Sequence, residues 1–290
     1  MSAAKVTTVV VNWNGLDDTR RCLESLQRLD YPEFSVVLVD NGSTERMPVE
    51  LPGVELIRSD HNRGFAGGAN LGIGRALEGN AAYVWLLNND TEVEPRTLSA
   101  LVATAEADPR VGVVGGVLPD AWGGGSIDPW TGVSKPATSS RDRLDYITGA
   151  CMLIRSAVFD EVGLLDDSYF FYYEDADFCV RARAAGWRLA VAPDARLGHR
   201  GSASVNRGTE GVRSAWADRL QVQSSGRFIG KHAGARAAVA VPLRLAGLTL
   251  NRVRRGQLRA VPQLTSELLR AVVSGRRERS AKRPTGRRPA

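Results

Sequence analysis

Nine consecutive residues, Tyr169-Phe170-Phe171-Tyr172-Tyr173-Glu174-Asp175-Ala176-Asp177, place five aromatic rings ahead of three acids. Acids at the start of a helix are favoured by its dipole. On such a helix Asp177 and Arg181 are four apart and can pair, with Glu174 a neighbour of Asp177. Asp175 points elsewhere and has no sequence-local cation. It is therefore the carboxylate best able to act as a base towards a cleft, with the rings as a platform for a sugar or an apolar acceptor. Taken alone, the same residues also fit an acidic first turn beside a buried aromatic ridge.

A second candidate is Asp90, which ends the run Leu86-Leu87-Asn88-Asn89-Asp90. A hard cation that bridges a diphosphate needs only one or two protein carboxylates. Asn88 points the same way as Asp90 if strand geometry persists. His199 is one of three histidines, and a lone histidine is more often structural than a ligand. The segment His61 to Asn70 (HNRGFAGGAN) puts small residues at a helix start, where phosphate oxygens can approach backbone N–H groups, and Arg63 adds positive charge. The chain has neither a GxGxxG turn nor a GxxxxGK[ST] loop, which argues against a dinucleotide dehydrogenase and a P-loop enzyme.

These residues need elements to hold them. Val6 to Val11 is a β-branched run suited to a buried strand, and Asp17 to Leu29 has the apolar spacing of a one-faced helix. Further strands are expected over Ser35 to Val39, Val54 to Ile57, Tyr83 to Leu87, Val111 to Val117, Ile147 to Ile154 and Arg188 to Val191. Helices are expected over Ala66 to Leu77, Pro95 to Ala107 and Asp175 to Ala185. The alternation predicts an α/β fold, a mostly parallel sheet flanked by helices. Asn12, Asp40-Asn41-Gly42-Ser43 and Asn88-Asn89-Asp90 then fall at carboxyl ends of strands, where open sheets bind ligands. Pro119 to Asp145 is rich in Gly, Pro, Ser and Asp and reads as a long surface loop.

The net charge of +6 conceals an asymmetry: from Lys231 onward there are 15 Lys and Arg against Glu267 and Glu278, or +13, which leaves −7 on residues 1–230. We read 1–230 as a catalytic domain, 231–275 as an amphipathic helical extension and 276–290 as a disordered basic tail. Apolar residues at helical spacing flanked by arginines suit an anionic membrane surface. No aromatic residue follows Phe228, so the tail lacks the stacking platforms of a nucleic-acid binder. No leader peptide or spanning run is apparent, and Cys22, Cys151 and Cys179 lack metal-site spacing. A cytoplasmic protein, peripheral on the inner face of the cell membrane, is expected.

The motifs VVVNWNG, VDNGST, NRGFAGGAN, LLNND and YYEDADFCVRARAAGW, in this order from Val6 to Ser204 with HRGSAS last, resemble family 2 glycosyltransferases of GT-A fold, especially the bacterial rhamnosyltransferase-like branch. The resemblance implies inverting transfer of a sugar from a nucleoside-diphosphate donor, dTDP-rhamnose or a UDP-sugar, to a glycan or polyprenyl-linked acceptor in cell-envelope polysaccharide synthesis. It implies that Asn12, Asp40 and Ser43 hold the nucleotide base and that Arg63 and Asn70 lie near ribose and phosphates. Asn88-Asn89-Asp90 occupies the family's DxD position, with Asn89 on the nucleotide side and Asn88 standing where the first acid is usual. Asp90 and His199 would bind Mg2+ or Mn2+; Asp175 would be the catalytic base, with Glu174 beside it contacting the acceptor. Two other readings are weighed. A sugar-phosphate nucleotidyltransferase would want a glycine-rich, basic triphosphate loop after the first strand, and none is present. A non-catalytic scaffold of transferase ancestry has no need to keep Asp90, Asp175 and His199.

Overall fold

The computed structural model describes residues 3–45, 53–199 and 215–281. They form two compact units. One comprises residues up to Ser126 with Lys135–Arg213; the other comprises Ile127–Ser134 and the chain from Ser214 onward.

In the first unit the β-branched run becomes β1 (Val6–Asn12), which is followed by α1 (Leu16–Leu26), β2 (Phe34–Asn41), β3 (Val54–Ser59), α2 (Gly64–Glu78) and β4 (Tyr83–Asn88). Then come β5 (Thr91–Val93), α3 (Thr97–Glu106), β6 (Val111–Val117), β7 (Gly124–Ile127), β8 (Ser134–Pro136), β9 (Tyr146–Ile147), β10 (Cys151–Arg155), α4 (Ser156–Val162), α5 (Glu174–Ala184) and β11 (Arg188–His199). The main sheet has the order β3-β2-β1-β4-β10-β6-β11-β5. Strands β3, β2, β1 and β4 are parallel, and β10 is inserted antiparallel between β4 and β6.

Alternation along the strands sends side chains to two cores. Val10, Leu38, Trp85, Leu87 and Leu153 pack with Leu23 and Leu26 of α1 and Leu98 and Leu101 of α3. Val9, Val37, Leu86 and Met152 pack with Ala69 and Ile73 of α2 and Phe178 and Ala182 of α5. The three cysteines are buried free thiols. Burial pushes Cys151 up to about 11 and Cys22 and Cys179 up to about 12, so none offers a thiolate at neutral pH.

Between Pro119 and Ile154 the structure departs from the sequence reading twice. Pro119 to Asp145 is not a plain loop: β7 and β8 lie within it and join β9 in a three-stranded sheet ordered β8-β7-β9. Their Gly- and Ser-rich residues lack the apolar period that marks a strand. The single strand expected over Ile147 to Ile154 is two, β9 and β10, separated at Thr148–Ala150 because the Gly149 N–H turns away to a side chain of α5.

The second unit contains α6 (Ala215–His232), α7 (Ala237–Arg254) and α8 (Val261–Ala281). The units part at 213/214, whereas the charge-based boundary of 230/231 falls inside α6, whose Val222 packs with Leu248, Leu264 and Leu268, and Ile229 with Val272. Arg219 donates to Glu267 at 2.9 Å, and Arg227 pairs with Glu278. Helix α7 runs through Pro242, which is exposed, so the carbonyl left without an N–H partner can bond water. Helix α8 continues beyond residue 275 to Ala281; residues 282–290 of the basic tail lie outside the described residues. Ile127–Ser134 belongs to this unit, and Gly132, at φ +65°, passes Ile229 so closely that a Cβ would sit 2.7 Å from its Cγ1.

Candidate active site

Register sets the site's first edge. Asn12 of β1 lies opposite Asp40 of β2, and Val11 lies opposite Asn88 of β4, so three polar strand ends align. Asn12 is fully buried. Its Oδ1 accepts from Gly15 N and Thr19 Oγ1, both at 3.0 Å, and from Asn89 Nδ2 at 3.5 Å, while its Nδ2 donates to Ser43 Oγ at 3.2 Å. Ser43 N donates to Asp40 Oδ1 at 3.2 Å, and the other Asp40 oxygen lies 3.5 Å from Arg58. One hydrogen-bonded group thus joins Asn12, Asp40, Ser43 and Asn89.

Arg63 precedes α2 and is exposed, its Nε donating to Ser59 Oγ at 3.1 Å. Its loop is pinned by Asn41, which accepts from Arg63 N at 3.1 Å and donates to Gly64 O at 2.9 Å. Asn70 is elsewhere. Both polar atoms of its side chain bond the Leu165 backbone, at 2.9 and 3.1 Å, tying α2 to the segment ahead of the aromatic run.

Asp90 and His199 are distant in sequence but adjacent in space. Strand β11 runs parallel to β6, shifts register between Ala192 and Arg196, and then pairs antiparallel with β5, setting His199 opposite Thr91. Pro193, with no N–H to give the ladder, sits in that irregular stretch. His199 Nε2 lies 3.3 Å from Asp90 Oδ1 and, though buried, makes no hydrogen bond. A carboxylate and an orphaned imidazole nitrogen facing one point form a donor set that fits a divalent cation whose other ligands are phosphate and water. Among the described residues, no group of three or more His, Cys, Asp and Glu side chains could hold a metal alone. Arg200 to Ser204, the end of the last motif, lie outside the described residues.

The acid pair opens α5. The two residues before it, Tyr172 and Tyr173, have φ of +70° and +69°. Two successive non-glycine residues in the left-handed region are a costly arrangement that surrounding structure must impose. Part of that structure is Gly64: at φ +74° its missing Cβ would lie 2.2 Å from Phe170 O, and Phe65 N donates to the same oxygen at 2.8 Å. Phe65 and Phe171 meet edge to face at 6.5 Å between centroids.

Asp175 is half-buried, and its oxygens accept from Gly149 N at 3.1 Å and Ala176 N at 2.7 Å. Burial nonetheless raises its carboxyl above the ordinary range. Glu174 is buried with Oε2 unpartnered, and burial together with the neighbouring Asp175 charge raises it well above the ordinary range. Asp177 takes the bland role: fully buried, it accepts from Arg181 Nε at 2.8 Å, while Arg181 also donates to the carbonyls of Val162 and Leu164.

One short route links the two halves of the site. Gly149 N donates to Asp175, and the next residue's carbonyl accepts from Asn88 N at 3.1 Å. Gly149 has no role in the sequence reading, and Asn41 appears there only as part of a strand-end turn. The available signals were a glycine interrupting an apolar strand run and the middle residue of a turn.

The sheet order, the antiparallel insertion and the polar strand ends define a GT-A glycosyltransferase fold. The chain belongs to the family described as Glycosyltransferase like family 2, which matches residues 3–222. It is 28% identical, over 69% of its length and 77% of the relative's, to the N-acetylglucosaminyl-diphospho-decaprenol L-rhamnosyltransferase of Mycobacterium tuberculosis. It is 29% identical to a low-salt glycan biosynthesis hexosyltransferase of Haloferax volcanii, over 61% of each chain. Among solved structures it resembles GalNAc-T7 with UDP, GalNAc and Mn2+ (TM-score 0.63, 17% identity, 79% of this chain and 48% of that one). It also resembles a Pyrobaculum calidifontis mannosyltransferase with GDP-Man and Mn2+ (TM-score 0.55, 16% identity, 98% and 89%). At these identities the structural likeness is one of fold.

Proposed function

We propose that this glycosyltransferase catalyses inverting transfer from a nucleoside-diphosphate sugar, dTDP-rhamnose or a UDP-hexose, to a hydroxyl of a glycan or polyprenyl-linked acceptor in cell-envelope polysaccharide synthesis. The observation that supports the reading is the hydrogen-bonded route from Asp175 through Gly149 and Ala150 to Asn88, two residues before Asp90. The Mycobacterium tuberculosis relative, a rhamnosyltransferase named for a decaprenol-linked acceptor, supports the transferred sugar and the acceptor class.

Asn12, Asp40 and Ser43 would hold the nucleotide base, with Asn89 bracing them and Arg63 at the phosphate side; Asn70 would act by anchoring α2. Asp90 and His199 would hold Mg2+ or Mn2+, which when bound supplies Lewis-acid stabilisation of the diphosphate leaving group. Asp175 takes the proton of the acceptor hydroxyl as that oxygen bonds the anomeric carbon and the bond to the diphosphate breaks. A carboxyl raised towards working pH is the stronger base for it. Glu174, whose carboxyl is raised well above the ordinary range by burial and the Asp175 charge, would contact the acceptor beside it. We assign the chemistry to the first unit. The basic second unit would attach to the inner membrane face, and no helix among the described residues is long and apolar enough to cross a membrane.

A panel of nucleotide sugars with Mg2+ or Mn2+, scored for binding and nucleoside-diphosphate release, tests the reading. Release stimulated by an acceptor supports it. Pyrophosphate release from a nucleoside triphosphate would support the nucleotidyltransferase, and neither product would support the scaffold.

A further inference from the structure

Helix α7 is apolar on both its inner and its outer face. Its inward face carries Ala237, Ala240 and Leu248 together with two arginines. Arg252 donates to Asp218 at 2.8 Å and to Gln257 at 2.6 Å, and Arg244 donates to Ser225 at 3.3 Å. Its outward face carries Val239, Leu243, Leu250 and Val253, each 46 to 50% exposed. At 100° per residue these four fall within a stripe of roughly 80°. A helix whose outer face meets only water carries polar residues there, so this exposed apolar stripe marks an outer face made for apolar surroundings.

We propose that the α7 stripe is embedded in the plane of an anionic lipid bilayer. Charge decides between that occupant and a second copy of the chain. Helix α7 has no acidic residue, Arg236 precedes it, Arg254 ends it, and Arg255 and Arg259 follow, flanking the exposed Leu258. Two copies of such a face would bring like charges together, whereas lipid phosphates meet all four guanidinium groups. Leucines sunk to acyl depth with arginines at headgroup level describe an interfacial helix. The inference names the element behind the membrane reading above and is independent of the transfer chemistry.

The test is sedimentation of the full-length protein with vesicles of phosphatidylcholine, with and without 30% phosphatidylglycerol, comparing wild type with the Leu243→Glu/Leu250→Glu double variant. Both side chains are exposed, so thermal unfolding and vesicle-free donor hydrolysis should stay at wild-type values. Wild type should bind the anionic vesicles. The double variant should lose affinity on the order of tenfold or more for each leucine withdrawn from lipid. If both proteins bind equally, the stripe is not the inserted element although the membrane reading stands. If wild type binds no vesicle, both fail. Concentration-dependent dimerisation that the double variant abolishes, without vesicle binding, would assign the stripe to a second copy and overturn the proposal.

Discussion

His199 Nε2 and Asp90 Oδ1 lie 3.3 Å apart, on residues 109 positions distant in sequence, because β11 leaves β6 and closes onto β5. Among the described residues, His199 Nε2 has no hydrogen-bond partner and no third His, Cys, Asp or Glu side chain completes a metal-holding group with the pair. If the pair holds the cation, Asp90→Ala and His199→Ala should each weaken nucleoside-diphosphate binding in Mn2+. The loss should be on the order of ten- to a hundredfold, while the weak metal-free binding stays the same. Calorimetric titration with and without EDTA checks it; an unaltered dependence on the divalent ion would remove the residue from the metal site.

Asp175→Asn keeps the shape of the side chain and its acceptance from Gly149 while removing the basic oxygen. Transfer should fall by about 10²–10⁴ with donor affinity unchanged. Single-turnover transfer beside donor binding separates the two, and near wild-type transfer would exclude Asp175 as the base.

The same carboxyl governs the acid limb of the rate. Because burial raises Asp175, the base form is lost on acidification at a pH above that of an ordinary aspartate. The transfer rate should therefore climb with pH through that raised value. A limb lying near pH 4 or below would contradict the burial argument.

Glu174 makes a stability prediction of opposite appearance. Its folded carboxyl is raised, so below the unfolded value the proton is held in both states and there is no penalty. As pH climbs past that value the unfolded chain ionises first, and stability is lost until the folded carboxyl ionises too. Glu174→Gln should thus melt higher than wild type at neutral pH and converge with it in acid. Melting curves across pH 3 to 8 check it.

At Gly64, alanine meets both a positive φ and the Phe170 carbonyl. The left-handed backbone costs roughly 1–2 kcal/mol and the clash about 1–3 kcal/mol, so Gly64→Ala should lose about 2 to 5 kcal/mol in urea unfolding. It should also disturb the turn into Glu174. A loss below 1 kcal/mol would mean that the aromatic segment is not held by this contact.

How much of this was legible in the sequence depends on range. Val6–Val11 and Tyr83–Leu87 announce buried strands because the continuous apolar run is a local property. The ion pair between Asp177 and Arg181 is equally local, one turn of helix. The approach of His199 to Asp90 is not: it needs a strand that continues beyond Val191 through a register shift and a three-residue partner, Thr91–Val93, too short to carry a period. Gly149 illustrates another limit, since its contribution is a backbone N–H, which side-chain identity does not record. Strands β7 and β8 escaped notice because pairing, rather than side-chain hydrophobicity, holds Gly124, Gly125 and Ser134 in line.

With Ile127–Ser134 among its residues, the second unit is built from two separate stretches of chain. A stop codon placed after Arg213 would strip that hairpin-like excursion of Ile229 and its helical bed while leaving it threaded through the remaining chain. Any shortened version of this enzyme, natural or engineered, would have to re-close the chain between Ser126 and Lys135 as well as dispense with the helices.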